Sequence, residues 1–496
     1  MINSNNYEFW FITGSQHLYG PETLRQVAEH SKIMVAKFNE TASIPYKIVY
    51  KPTVTTPEEI TSVLEAANVD RNCAGIITWM HTFSQSKMWI AGFAQLNKPL
   101  LHLHTQFNQK LPWNDIDMDF MNLNQSAHGD REHGFIGARM RISRKVIAGY
   151  WNDERVCQRI GAWQRTAVGY IYGRQLKVVR FGDNMREVAV TEGDKVEAQI
   201  KLGWSVNTYS VGDLVNEVNN VAEEAVEALV SEYKAKYDIA PEAQEGEKLE
   251  AIREQARIQL GIKAILDKVG AGAFTTTFED LHGLKQLPGL AAQDLMSQGY
   301  GFGGEGDWKT SALTNVMKIM SDNKGTSFME DYTYNFVPGE EMILGAHMLE
   351  VCPTIAATKP RMEVHPLGIG GKAAPARLVF DGASGHAVCA SLIDMGGRMR
   401  LVIAEVEAVQ PTIDMPKLPV ARVLWKPEPS LEIGSEAWIY AGGAHHTVFS
   451  TVVTSEQLID WAEMVGIEYI LINRDTTILS LRDELRWNDI AWKLKL

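Results

Sequence analysis

Cysteine is scarce. Cys73, Cys157, Cys352 and Cys389 are the only four in 496 residues, and none falls at CxxC spacing. That excludes a disulfide framework and a zinc-thiolate pair, and it fits a reducing, cytoplasmic setting. No apolar run reaches the ~18 residues of a membrane span. The N-terminus, MINSNNYEFWFITG, lacks the basic start and apolar core of a secretory signal. Positive charge is also short, with 48 Lys and Arg against 61 Asp and Glu and a net charge of -13. Polyanions require clustered cations, so neither nucleic acid nor an anionic membrane is an expected partner. There is no internal repeat and no low-complexity tract. No GxGxxG follows the first apolar run, which argues against a dinucleotide site.

What remains is an ordinary globular composition, 45% hydrophobic and 22% charged, long enough for several cores. Apolar runs alternate with helical patterns from the start. Tyr7 to Thr13, YKIVYKPTV, CAGIITWM and KPLLHLHTQ read as strands, separated by helices, two of which open on Pro21 and Pro57. Strands apolar throughout, joined by helices, predict a parallel sheet covered on both faces. Ligands of such sheets bind at the carboxyl ends of the strands, here the polar stretches GSQHLYG, MHTFSQ and HTQFNQ. Residues 130–174 read as helical throughout. QLKVVRF and WSVNTYS begin a second α/β unit. The Glu-, Ala- and Lys-rich stretch 217–267 reads as paired surface helices without chemistry. After about Lys324 the texture changes to short β-rich runs split by Gly and Pro, including AWIYAGGAHHTVFS, the signature of an antiparallel sandwich or barrel. A helix, a strand and a helix close the chain. The expected architecture is therefore α/β: two parallel-sheet α/β domains, 1–175 and 176–324, then a β-rich, barrel-like domain, 325–496.

The chemistry concentrates late in the chain. GFGGEGDWKT, Gly301 to Thr310, holds four glycines in six positions around one acid, Glu305, just before a helical run. Glycines permit a tight turn and a close approach to a ligand. Glu330 follows in SFMEDY, His347 in the apolar run ILGAHMLEV, and His445 with His446 after an AGG lead-in. Two carboxylates with one or two imidazoles suit Mn²⁺, Co²⁺ or Fe²⁺, and the lack of thiolates disfavours structural zinc. Their separations of tens of residues match no local metal motif, so spacing alone leaves core histidines and a surface acid pair as an equal reading.

Seven stretches occur in order: GSQHLYG, NQSAHGDREHG, GFGGEGDWKT, TSFMEDYTY, GAHMLEVCP, HPLGIGGK and GGAHHTVFS. In these the chain resembles the bacterial L-arabinose isomerases, over essentially its whole length. The resemblance implies two α/β domains and a β-rich third in a fold shared with L-fucose isomerase, and a homo-hexamer or homo-tetramer. It implies Mn²⁺, with Co²⁺ as substitute, held by Glu305, Glu330, His347 and His446. It also implies a sugar pocket lined by Gln16, Leu18, Met185, Phe278 and Ile369, with Gln125 and His128 contributed from a neighbouring subunit. The implied reaction is L-arabinose to L-ribulose, with D-galactose to D-tagatose beside it, through a metal-assisted enediol. Glu305 and Glu330 would act as the acid–base pair, in an order the sequence leaves open. A sugar-binding receptor is the rival class; the inward carboxylates and the missing export signal argue against it.

Overall fold

A computed structural model describes residues 6–494. The chain divides into two compact units, one reaching to Ile171 and one running from Tyr172 onward.

The first unit is built on five parallel strands: β1 (Glu8–Gly14), β2 (Lys47–Tyr50), β3 (Cys73–Met80), β4 (Leu100–His104) and β5 (Lys145–Ala148), in the order β2-β1-β3-β4-β5. This is a doubly wound arrangement, as the alternating pattern predicts. β3 is buried along its whole length, which is why it reads as one apolar run. β5 is a correction. Residues 130–174 are not continuously helical, because β5 lies between helices Ser126–Arg139 and Glu154–Gly173. It is an edge strand of four residues with only Ile147 buried, too little to imprint a pattern.

The second unit begins with four parallel strands: β6 (Lys177–Phe181), β7 (Ser205–Tyr209), β9 (Ala273–Thr276) and β10 (Gly301–Gly303), in the order β10-β9-β6-β7. The two-residue β8 (Asp238–Ile239) instead joins β13 (Arg361–Val364) and β14 (Ala376–Val379) in a small sheet. Within 217–267 the second helix, Gly246–Val269, is not a surface helix. Ile252, Ile258, Ile262 and Leu266 are buried, and so are Gln255 and Gln259. The Gln255 amide donates to Leu287 O at 2.8 Å and the Gln259 amide to Asp294 Oδ2 at 2.8 Å. Satisfied amides can be buried, so a polar composition concealed an interior helix.

The β-rich part is a closed barrel. Its strands are β11 (Thr326–Asn335), β12 (Met342–Ala346), β15 (Gly385–Asp394), β16 (Met399–Val409), β17 (Arg422–Pro427) and β18 (His446–Ser450). They run β15-β18-β11-β12-β17-β16, and β16 pairs back with β15 to close the ring; β19 (Glu468–Ile472) adds in parallel to β16. Closure leaves no long unpaired edge. AWIYA, read as strand, is the end of helix Leu431–Ala441: Ser430 caps its start, and Gly442, at φ 81°, ends it in the left-handed conformation. Leu431, Gly434, Ala437 and Ala441 are buried at helical spacing.

Candidate active site

β11 lies between β12 and β18, and its register sets Glu330 opposite both Ala346 of β12 and His446 of β18. His347 is the next residue after β12. The expectation that it sits within a strand is therefore off by one position, and it stands in the loop that leaves the barrel rim. Glu305 comes from the other layer, on the turn after β10. It holds a φ of 59°, rare for a residue with a side chain. Met185 N donates to its carbonyl at 2.9 Å and Gly306 N to Thr276 O at 3.0 Å, which fixes the turn. The backbone at Gly304 runs close to the site, where a Cβ would lie 3.0 Å from His347 Nε2 and crowd the ring.

These elements bring one oxygen of Glu305 and one nitrogen each of His347 and His446 within 4.8 Å of one another. His446 Nε2 is 3.8 Å from Glu305 Oε2, and His347 Nε2 is 4.0 Å from Glu330 Oε2. The Phe328 ring lies edge-on to both imidazoles, at 4.8 and 5.1 Å.

Two further carboxylates hold the imidazoles from behind. His446 Nδ1 donates to Asp307 Oδ2 at 3.2 Å, and His347 Nδ1 to Glu350 Oε2 at 2.5 Å. Each ring is thereby set with its Nε2 towards the acids. His446 is fully buried, and its Nε2 has no hydrogen-bond partner. A buried nitrogen left bare is costly unless something else meets it. A carboxylate behind an imidazole is the usual support of a metal-ligating histidine. The donors are oxygen and imidazole nitrogen only, the set that suits a divalent cation such as Mn²⁺, so these residues fit the metal that the sequence implies.

The electrostatics agree. Burial alone would raise the Asp307 pKa, but Lys309, His446 and Thr310 hold it well below the carboxylate range. Burial likewise opposes ionisation of Glu305, yet His445, His446 and His347 bring its pKa below the ordinary value. His347 is desolvated, but Glu350, Glu330 and Glu305 raise its pKa. His445 is raised chiefly by its hydrogen bond to Glu305, at 3.4 Å.

Met185, Phe278 and Ile369 line a cavity of about 280 Å³ together with Glu305, Glu330 and His347. Gln16, Leu18, Gln125 and His128 are in the N-terminal unit. Gln16 donates to Phe83 O at 3.1 Å and accepts from Gln85 at 2.7 Å. Gln125 accepts from the Tyr19 hydroxyl at 3.1 Å, His128 stacks on Phe83 at 5.2 Å, and Leu18 is 85% exposed. The four thus gather near the carboxyl ends of β1 and β3. Asp307 and Glu350 are functional candidates that the sequence reading passed over. The available signals were a helix N-cap position for Asp307 and a three-residue step from His347 for Glu350.

Three family descriptions cover the chain: the L-arabinose isomerase N-terminal domain over residues 3–175, its central domain over 177–323 and its C-terminal domain over 325–468. The chain belongs to the L-arabinose isomerase family. The L-arabinose isomerases of Geobacillus kaustophilus and Geobacillus stearothermophilus are each 65% identical to it over 99% of this chain and 100% of theirs. That of Clostridium beijerinckii is 60% identical over the same shares. Membership makes the chain an isomerase. A periplasmic sugar-binding protein from Legionella pneumophila, at 12% identity and a TM-score of 0.15, is too distant to bear on fold or function. Among the described residues no helix is long and apolar enough to cross a membrane.

Proposed function

We propose that the chain interconverts L-arabinose and L-ribulose, and D-galactose and D-tagatose more slowly, by moving a hydrogen between C2 and C1 through an enediol. The observation that carries the reading is the convergence of Glu305, His347 and His446 around the unpartnered Nε2 of His446, with Glu305 and His347 lining a cavity of about 280 Å³. Glu305, Glu330, His347 and His446 would hold Mn²⁺, or Co²⁺ in its place. Bound there, the cation supplies positive charge against the oxyanion that develops as C2 loses its proton.

The protein's own groups do the rest. Glu305 and Glu330 face one cavity, and one carboxylate removes the C2 proton and returns it to C1 while the other serves the hydroxyl proton. Asp307 and Glu350 keep the rings of His446 and His347 in fixed tautomers. Met185, Phe278 and Ile369 exclude water and bound the space beyond the reacting carbons, so Phe278 and Ile369 set the room for the extra hydroxymethyl group of D-galactose. Gln125 and His128 reach the sugar of a neighbouring subunit in a homo-hexamer or homo-tetramer. The four thiols, none in a disulfide, suit a cytoplasmic enzyme.

Ketose formation from L-arabinose is measured after EDTA treatment and again with Mn²⁺ restored. Activity lost and regained is the expected result. Activity indifferent to thorough chelation refutes the metal reading, and no activity under either condition refutes the substrate.

A further inference from the structure

The helix Trp308–Met320 carries two enclosed lysines, and they are accommodated differently. Lys309 donates to the carbonyls of Val190, Thr191 and Glu192 at 3.1, 2.8 and 2.6 Å, with Asp307 Oδ1 at 3.5 Å. Lys318, 1% exposed, has no such cradle. Its Nζ donates to Asn323 Oδ1 at 3.1 Å and to Cys352 Sγ at 3.2 Å. Among the described residues it makes no ion pair with a carboxylate. A buried ammonium without an anion is strongly disfavoured. Burial accordingly lowers the Lys318 pKa, towards a neutral and nucleophilic amine.

Cys352 is fully buried at the start of the short turn Pro353–Ile355. Its sulfur lies between the lysine and Thr354 Oγ1, 3.2 Å away, and Ser327 Oγ accepts from its backbone N–H at 2.8 Å. The other thiols have different company. Cys73 donates to Gly75 O and Cys157 to Trp151 O, and burial pushes both up to about 11. Cys352 alone among the four is hydrogen-bonded by a lysine.

We propose that Lys318 and Cys352 form a site of covalent oxidative modification, in which dioxygen joins the thiol sulfur and the ε-amine nitrogen through one bridging oxygen. The S–H bond and one N–H bond break, and an S–O and an O–N bond form. The second oxygen atom leaves with both hydrogens as water. Sulfur and nitrogen each give up two electrons, and dioxygen takes all of them. Thiol oxidation ordinarily proceeds through the sulfenic level, where a nearby nucleophile can capture it. Here an amine is already in contact. Dioxygen is small and apolar, and rotamer hopping in the core admits it. The bridge ties the helix that follows Glu305 to the segment that follows His347 and Glu350, the two strands of chain that bring the site's acid and imidazole together.

The test uses the wild-type chain. Protein purified under argon with reductant is divided, and one half is incubated in air-saturated buffer. Both halves are digested with trypsin and weighed. The expected product, confined to the aerated half, is the Lys318 peptide joined to the Cys352 peptide, heavier than their sum by one oxygen less two hydrogens. Trypsin no longer cleaves after Lys318, and dithiothreitol restores the separate peptides. In the Lys318→Met variant the cross-link is absent and Cys352 gathers oxygen as sulfinic or sulfonic acid. Cys352 recovered from aerated wild type as free thiol or sulfinic acid, with cleavage at Lys318 intact, overturns the proposal. So does the same mass change persisting in Lys318→Met.

Discussion

Replacing Asp307 by Asn separates two jobs that one carboxylate performs. Asp307 caps the helix Trp308–Met320, accepting from Thr310 N at 3.1 Å and from Thr310 Oγ1 at 2.7 Å. It also accepts from His446 Nδ1 at 3.2 Å. Asn caps helices about as well as Asp, so the helix start survives the change. The amide has only one oxygen, which Thr310 engages, and it turns its NH₂ towards the imidazole. A donor facing Nδ1 moves the ring proton to Nε2, the nitrogen 3.8 Å from Glu305. A protonated Nε2 has no lone pair for a metal. Loss of a carboxylate behind a ligating histidine typically weakens metal binding about 10–100-fold, or about 1.4–2.7 kcal/mol. Lys309 loses its anion but keeps three carbonyls, so the metal-free fold loses only about 1–3 kcal/mol. Mn²⁺ binding is read by electron paramagnetic resonance during titration of metal-free protein, and the melting temperature of that protein is recorded separately. Asp307→Ala, which removes the cap as well, is expected to cost about 1 kcal/mol more in stability. If Asp307→Asn takes up Mn²⁺ as tightly as wild type, the tautomer argument is refuted, whatever happens to the melting temperature.

Three further outcomes follow from the same geometry. In Gly304→Ala the new methyl meets His347 Nε2 at 3.0 Å and the Phe328 ring at 3.4 Å; the imidazole must shift, so Mn²⁺ affinity should fall about tenfold or more with about 1–3 kcal/mol of stability, and unchanged affinity in the same titration would contradict this. Asp294 is largely buried and burial raises its pKa, but Lys236, Tyr237 and Gln259 override that and hold it below 3.8. A depressed folded-state pKa means stability that is complete above the unfolded value and lost as pH falls through the folded one, so Asp294→Asn should destabilise by about 1–3 kcal/mol at pH 7 and flatten the acid limb of the stability curve. Denaturant midpoints from pH 7 down to pH 3 check it, and an equal loss at both ends would show that ionisation is not the cause. Finally, turnover in heavy water should place deuterium at C1 of the ketose; turnover with none there points to direct hydride transfer in place of the enediol.

The doubly wound sheet is legible in the sequence because its strands are buried on both faces: CAGIITWM reads as a strand for the same reason that all eight of its residues are buried. KVIA, with one buried side chain on an edge, carries no such imprint. Residue type marked Glu305, Glu330, His347 and the His445–His446 pair as candidates, since acids and imidazoles inside apolar or glycine-rich runs need a reason to be there, and the family resemblance narrowed the pair to His446. Their meeting is not written in any spacing. It depends on β11 pairing with β12 on one side and with β18 on the other, in a register that sets Glu330 opposite Ala346 and His446. That pairing spans over a hundred residues of chain, and no local periodicity reports it. Asp307 and Glu350 escaped for a different reason. Each acts on the back of an imidazole and looks, in sequence, like a helix cap and a loop acid. Asp307 does serve as a cap. The one carboxylate both starts the helix behind Glu305 and orients the ring across from it, so the position of the acid and the tautomer of the imidazole are set by the same residue.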